Sequence, residues 1–160
     1  MQSIQIISVG KLKESYLRDA CAEYVKRLQA FCKLQITELS EVRLPESPNP
    51  AQIAAALAAE GAEMRRRLPQ SGYTVALCIE GKALSSEGLS ERLSAAALAG
   101  KSTATFLIGS SHGLPPDIKA EADLCLSMSA MTFPHQLARL MLLEQVYRAF
   151  QISTGGKYHK

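Results

Sequence analysis

The last four residues of this chain, Lys157-Tyr158-His159-Lys160, place two cations, an aromatic ring and an imidazole behind a Gly155-Gly156 hinge. Such a mixture can contact phosphate, stack on a base and move a proton, although a frayed terminus could have the same composition. Upstream, Glu144, Arg148 and Gln151 follow i, i+4, i+7 spacing and share one helical face. Their acid-before-base order suits an i, i+4 ion pair, which on a solvated face is worth only about 0.3–0.5 kcal/mol. His135 stands at a helix start, where the dipole disfavours the cation and leaves a neutral imidazole able to accept or donate. A satisfied structural histidine fits that position equally well.

Two glycine-containing stretches add further chemistry. Gly109-Ser110-Ser111-His112-Gly113 permits close backbone approach to a ligand, and it also matches Gly-x-Ser-x-Gly. Under that second reading Ser111 is a hydrolase nucleophile, followed by Asp117 or Asp123 and then His135 or His159. Leu114-Pro115-Pro116 weighs against it, because the prolines delay the helix that should follow the nucleophile directly. Met128-Ser129-Ala130-Met131-Thr132-Phe133 contains no acid or base. Its backbone N–H and C=O groups could hydrogen-bond a heterocycle edge while Met131 and Phe133 supply apolar contact; a plain loop into a helix opened by Pro134 is the alternative. No strand is followed by Gly-x-Gly-x-x-Gly, and no P-loop pattern exists. Cys21, Cys32, Cys78 and Cys125 are widely separated and read as reduced, packed small hydrophobes, so no metal site is expected.

The elements that must position these residues follow from hydrophobic period. Ile4 to Val9 reads as a buried strand closed by Gly10, and Leu17, Ala20, Cys21, Tyr24, Val25 and Leu28 as the stripe of an amphipathic helix. Leu34 to Leu39 alternates as an edge strand does. Asn49-Pro50-Ala51-Gln52 caps and opens a helix that runs to Arg67. Strands at Tyr73–Ile79, Ser102–Ile108 and Leu124–Met128 follow, with a helix at Ser86–Leu98 between the first two. Pro134 to Ile152 is a long helix, so apolar between Leu137 and Leu143 that it must be covered on most sides. The order β-α-β-α-β-α-β-β-α predicts one α/β domain with a mostly parallel sheet between helical layers. Ligands of such folds bind beyond the strands' carboxyl ends, which directs attention to the turns after Ile79, Ile108 and Leu126.

Composition sets the bounds. The chain has 160 residues, 47% hydrophobic and 21% charged, which excludes a disordered or fibrous chain. The net charge of +3 permits a nucleic-acid partner without requiring one. No apolar stretch approaches the ~20 residues of a membrane span, and no secretory signal opens the chain, so a cytoplasmic address is expected.

Gly109 through Leu114, Leu126 through His135, Glu144-Gln145-Val146-Tyr147-Arg148-Ala149 and the ending Tyr158-His159-Lys160 resemble the bacterial H-type large-subunit ribosomal RNA methyltransferases of the SPOUT class. Val9-Gly10-Lys11 and the length extend the resemblance over nearly the whole chain. It implies a single domain over residues 1–160 with a C-terminal trefoil knot at about 73–160, and S-adenosylmethionine as cofactor. It further implies methylation of N3 of a pseudouridine in the helix 69 loop of 23S rRNA, a homodimer, and the assembled ribosome as partner. Carried over residue by residue, cofactor contacts fall on Leu77, Gly109, Met128, Ser129, Ala130, Met131, Thr132 and Phe133. The resemblance places Arg148, Tyr158 and Lys160 on the RNA and His159 or Glu144 at proton removal, with His135 in reserve. Ser110 departs from the Gly-Gly of many relatives and puts the shape of that loop in question. A non-catalytic ribosome-binding module is the remaining alternative.

Overall fold

β-Branched and apolar residues fill β1 (Ser3–Val9), four of whose last five members are fully buried in the computed structural model of residues 1–160. The chain continues through α1 (Ser15–Leu28), β2 (Lys33–Leu39), α2 (Pro50–Arg67), β3 (Tyr73–Ala83), α3 (Ser86–Leu98), β4 (Thr103–Ile108), α4 (Pro116–Glu121), β5 (Leu124–Ser127) and α5 (His135–Ser153). Helix α2 starts as its sequence predicts. The Asn49 side chain accepts from the Gln52 amide at 2.8 Å while Gln52 accepts from the Asn49 amide at 2.9 Å, a reciprocal cap worth about 1 kcal/mol.

All five strands are parallel, in the order β2-β1-β4-β3-β5, so their carboxyl ends share one edge of the sheet. β2 is the half-exposed edge that its alternation predicts. The larger core joins one sheet face to α1, α3 and α5; the smaller joins the other face to residues of α2 and α4. α5 lies between α1 and α3, with Leu142, Leu143 and Val146 fully buried and Leu140 and Met141 only partly so. No helix is long and apolar enough to cross a membrane.

Three local expectations need correction. β3 does not stop at Ile79: it runs to Ala83 and takes Glu80-Gly81-Lys82 into the strand. Leu126 of β5 pairs with both Leu77 and Lys82, so an irregularity in β3 lets a short partner serve two stretches of it. Gly81 has the local chemistry of a strand stop, and the distant pairing with β5 overrides it. Helix α4 is an addition, short enough to hide inside the Pro-containing loop. Finally, only Cys21 and Cys32 are buried. Cys78 and Cys125 are half-buried neighbours on β3 and β5, and burial, with Cys125 adding to it, pushes the Cys78 thiol up to about 11.

Candidate functional site

At the shared strand edge a cavity of about 660 Å³ opens between the ends of β3 and β4 and the loop that leaves β5. Its lining includes Leu77, Gly109, Met128, Ser129, Met131, Thr132, Phe133 and His135. Of the expected cofactor contacts only Ala130 is absent, and it sits exposed within the same loop. The volume falls in the ~300–1,000 Å³ range of small-molecule sites. Ile79 and Met131 hold apolar side chains at its rim, 50% and 73% exposed, where a ligand could cover them.

Apolar side chains line much of the cavity, and the loop that leaves β5 adds free main-chain groups for identifiable local reasons. Ser127 Oγ donates to the Ser129 carbonyl at 3.0 Å and the Met131 amide donates to Ser129 Oγ at 3.0 Å, which fixes the turn. The amides of Ala130, Thr132 and Phe133 make no hydrogen bond within the chain and remain available to a ligand edge. Across the cavity, Gly109 lies so close to the Gly113 carbonyl that a Cβ there would collide with it. Ser110 fits without strain: no non-glycine residue has positive φ, and Ser110 is buried in a bridge to Gly113. The departure from Gly-Gly therefore leaves the loop's backbone in an ordinary conformation. These features suit a flat heterocycle bound by backbone groups, and the adenine end of S-adenosylmethionine has that character.

His135 closes the floor. Its Nε2 lies 3.2 Å from where a Cβ on Gly10 would stand, and Gly10 has φ +95°, so a side chain in the turn after β1 would strain the backbone and press on the ring.

The hydrolase arrangement is not assembled. Ser111 is exposed and has no histidine or carboxylate partner. Asp117 accepts from Arg65 at 2.6 Å, while Asp123 accepts from the Thr74 amide at 2.8 Å and from Lys101 at 3.1 Å. A nucleophile elbow needs a strained serine, and the backbone has none.

The C-terminal residues form a second cluster on α5. Glu144 pairs with Arg148 and accepts from the Tyr158 hydroxyl at 3.1 Å. Tyr147 and Tyr158 meet edge-to-face at 4.8 Å, and the Arg148 guanidinium lies 4.7 Å from the Tyr158 ring centre. His159 bridges Arg148, at 3.0 Å from Nδ1, and Glu87 of α3, at 2.7 Å from Nε2. A guanidinium can only donate, so Nδ1 accepts and Nε2–H donates to Glu87, which is the neutral tautomer. That hydrogen bond holds the Glu87 carboxyl below its ordinary range. The Tyr158 phenol is pushed up to about 12, first by its hydrogen bond with Tyr24 and then by burial and Glu144. Lys160 is exposed at the end of this arrangement.

The residues expected to act in catalysis or on the RNA thus divide between two places. His135 belongs to the strand-end cavity; Glu144, Arg148, Tyr158 and His159 belong to the tail cluster. Along α5, His135 and Arg148 are separated by about 20 Å at 1.5 Å per residue. Sequence reasoning missed Glu80 and Lys119, an ion pair of 2.6 Å on the cavity's lining, together with Tyr24, Tyr147 and Glu87 under the tail. Lys119 was findable, because Pro115-Pro116-Asp117 is a helix-start signal. The tyrosines lie on apolar stripes and have the pattern of core residues, and nothing in the sequence marks Glu87.

A family profile described as "Predicted SPOUT methyltransferase" matches residues 2–159. A "Ribosomal RNA large subunit methyltransferase H" from Leuconostoc mesenteroides is 47% identical over 158 residues, 99% of each chain. A protein of the same description from Moorella thermoacetica is 47% identical over 160 residues, the whole of both chains. Among solved structures, a probable methylase family protein from Haemophilus influenzae superposes with a TM-score of 0.56 at 15% identity. The match covers 99% of this chain and 71% of that one, a likeness of fold.

Proposed function

The chain belongs to the SPOUT methyltransferase family, and from that premise we propose that it is a large-subunit ribosomal RNA methyltransferase of the H type. In this reading it methylates N3 of a pseudouridine in the helix 69 loop of 23S rRNA, within the assembled ribosome and in the cytoplasm. S-adenosylmethionine, when bound, supplies a methyl group already activated as a sulfonium, so the protein's task is alignment and proton removal. The observation that carries the reading is the largely apolar strand-end cavity, with unpartnered amides in the loop after β5.

Leu77, Gly109 and Met128 through Phe133 hold the cofactor. Arg148, Tyr158 and Lys160 hold the RNA. The N3–H proton goes to His159 or Glu144, with His135 as reserve. Geometry favours His159 over Glu144, whose carboxylate already accepts from Arg148, Gln145 and Tyr158. The His159 Nδ1 lone pair faces only Arg148, and a phosphate that draws Arg148 away would free it.

The roughly 20 Å along α5 supports a homodimer in which one protomer's tail serves its partner's cavity, and the half-exposed Leu140 and Met141 on α5 offer a two-fold contact. The domain is read as residues 1–160, with a knot over about 73–160.

The test is a calorimetric titration with S-adenosylmethionine, followed by transfer of labelled methyl to ribosomes from a strain lacking the activity. A flat titration with intact ribosome binding would leave a non-catalytic binding module in its place.

A further inference from the structure

On the far side of α5's first turns from the cofactor cavity, a second cleft of about 560 Å³ runs between α1 and the edge strand β2. Its charged lining is Lys11, Arg18, Lys26, Glu38 and Arg139: four cations against one carboxylate, a surplus equal to the net charge of the whole chain. Arg139 accounts for the carboxylate. Its side chain is 4% exposed and donates to Glu38 Oε2 at 2.7 Å, to Ser8 Oγ at 2.7 Å and to the Gly10 carbonyl at 3.1 Å. The Arg139 Nε, also buried, has no partner, so an unsatisfied donor remains in the cleft floor, while the net positive charge comes from Lys11, Arg18 and Lys26.

The other three cations are exposed. Lys11 and Lys26 make no ion pair or side-chain hydrogen bond, and Arg18 spends one nitrogen on the Leu12 and Lys13 carbonyls, which fixes its orientation. Asp19 and Glu23 share α1 but do not line the cleft. Arg18 and Lys26 are two turns apart on α1, about 12 Å, a span of roughly two nucleotides of one strand.

We propose that this cleft is a phosphodiester track for the RNA substrate, a docking surface separate from the C-terminal tail. The proposal rests on the ribosomal RNA reading for its partner and deepens it. Because all strands are parallel, the mouth of the cleft at Lys11 opens on the same sheet edge as the cofactor cavity, one helical turn from His135 through Arg139. A strand held there enters the site from the β2 side.

The experiment compares full-length protein with the K11A/K26A double variant, measuring binding to unmodified ribosomes and to protein-free 23S rRNA against KCl concentration. Expected are an unchanged S-adenosylmethionine titration and melting temperature, and a log–log salt slope shallower by about 1 for each phosphate that the variant no longer neutralises. The KM for ribosomes should rise about tenfold with kcat kept. An unchanged salt slope on both RNAs overturns the proposal. So does weaker ribosome binding with unchanged binding to protein-free rRNA, which would assign the cleft to an acidic ribosomal protein. If wild-type protein transfers no methyl group at any salt, the enzyme reading fails, while the slope still decides the cleft.

Discussion

The strand-end cavity and the tail cluster are built from different materials. The first combines apolar side chains with two closely approaching backbone loops, held by Gly109, Gly113 and the self-bonded turn at Ser127 to Met131. The second is a web of long side chains, with Glu144, Arg148, Tyr158 and His159 sharing hydrogen bonds and Glu87 anchoring the end. Where backbone loops approach as closely as at Gly109, no added atom is tolerated; a side-chain web tolerates volume and fails when one member leaves. The first arrangement suits a cofactor of fixed shape. The second suits a large, charged partner that must displace contacts as it docks.

The sharpest way to separate the regions is Gly109→Val. Its side chain meets the Gly113 carbonyl, and S-adenosylmethionine affinity should fall at least about 100-fold while the tail's contacts persist. Retained affinity in a calorimetric titration would break the contrast at its strongest point. Replacing Tyr158 and His159 together by alanine should do the converse: cofactor affinity unchanged, and methyl transfer lower by about 100-fold or more. Full transfer by that variant would remove the tail from the chemistry.

Mixing the two inactive proteins tests whether the regions of different protomers cooperate. If one chain's tail serves the other's cavity, randomly re-formed dimers should recover about a quarter of wild-type activity, because half of them hold one intact site of two. No recovery, or sedimentation as a monomer at micromolar concentration, would return both regions to a single chain.

A pH titration sharpens the tail's side of the comparison. The Tyr158 pKa is raised in the folded chain, so its contribution to tail docking is complete below the ordinary phenol value near 10. That contribution disappears as pH rises through about 12. Ultraviolet titration should show one late phenol that Tyr158→Phe abolishes. The smallest effect belongs to Ser111→Ala, which should change methyl transfer less than about twofold, because the side chain is exposed and bonds to nothing that acts. Labelling of Ser111 by a fluorophosphonate probe would revive the hydrolase.

Much of this was legible in the residues. The capped start of α2, the edge character of β2 and the glycine turn after β4 depend on neighbours a few positions away, which sequence displays directly. The loop from Met128 to Phe133 was identifiable because small and hydroxylic residues between a strand and Pro134 leave its amides without regular partners. What stayed hidden involves distant pairs. Glu87 and His159 are 72 positions apart and Ser8 and Arg139 are 131 apart, with nothing near Arg139 in the chain to mark its partners. β3 extends past Gly81 because β5, over forty residues later, pairs with it.

Sequence alone determined every element but α4, the cap of α2 and the edge of the sheet where a ligand would sit, because period and turn chemistry are local energies. Tertiary structure decided that His135 and the tail lie in separate places and that Cys78 and Cys125 are neighbours. It also left a basic cleft beside β2 once Arg139 had neutralised Glu38. Those outcomes depend on which strands and helices lie side by side, and the crossovers that bring them together leave no mark in the residues they join.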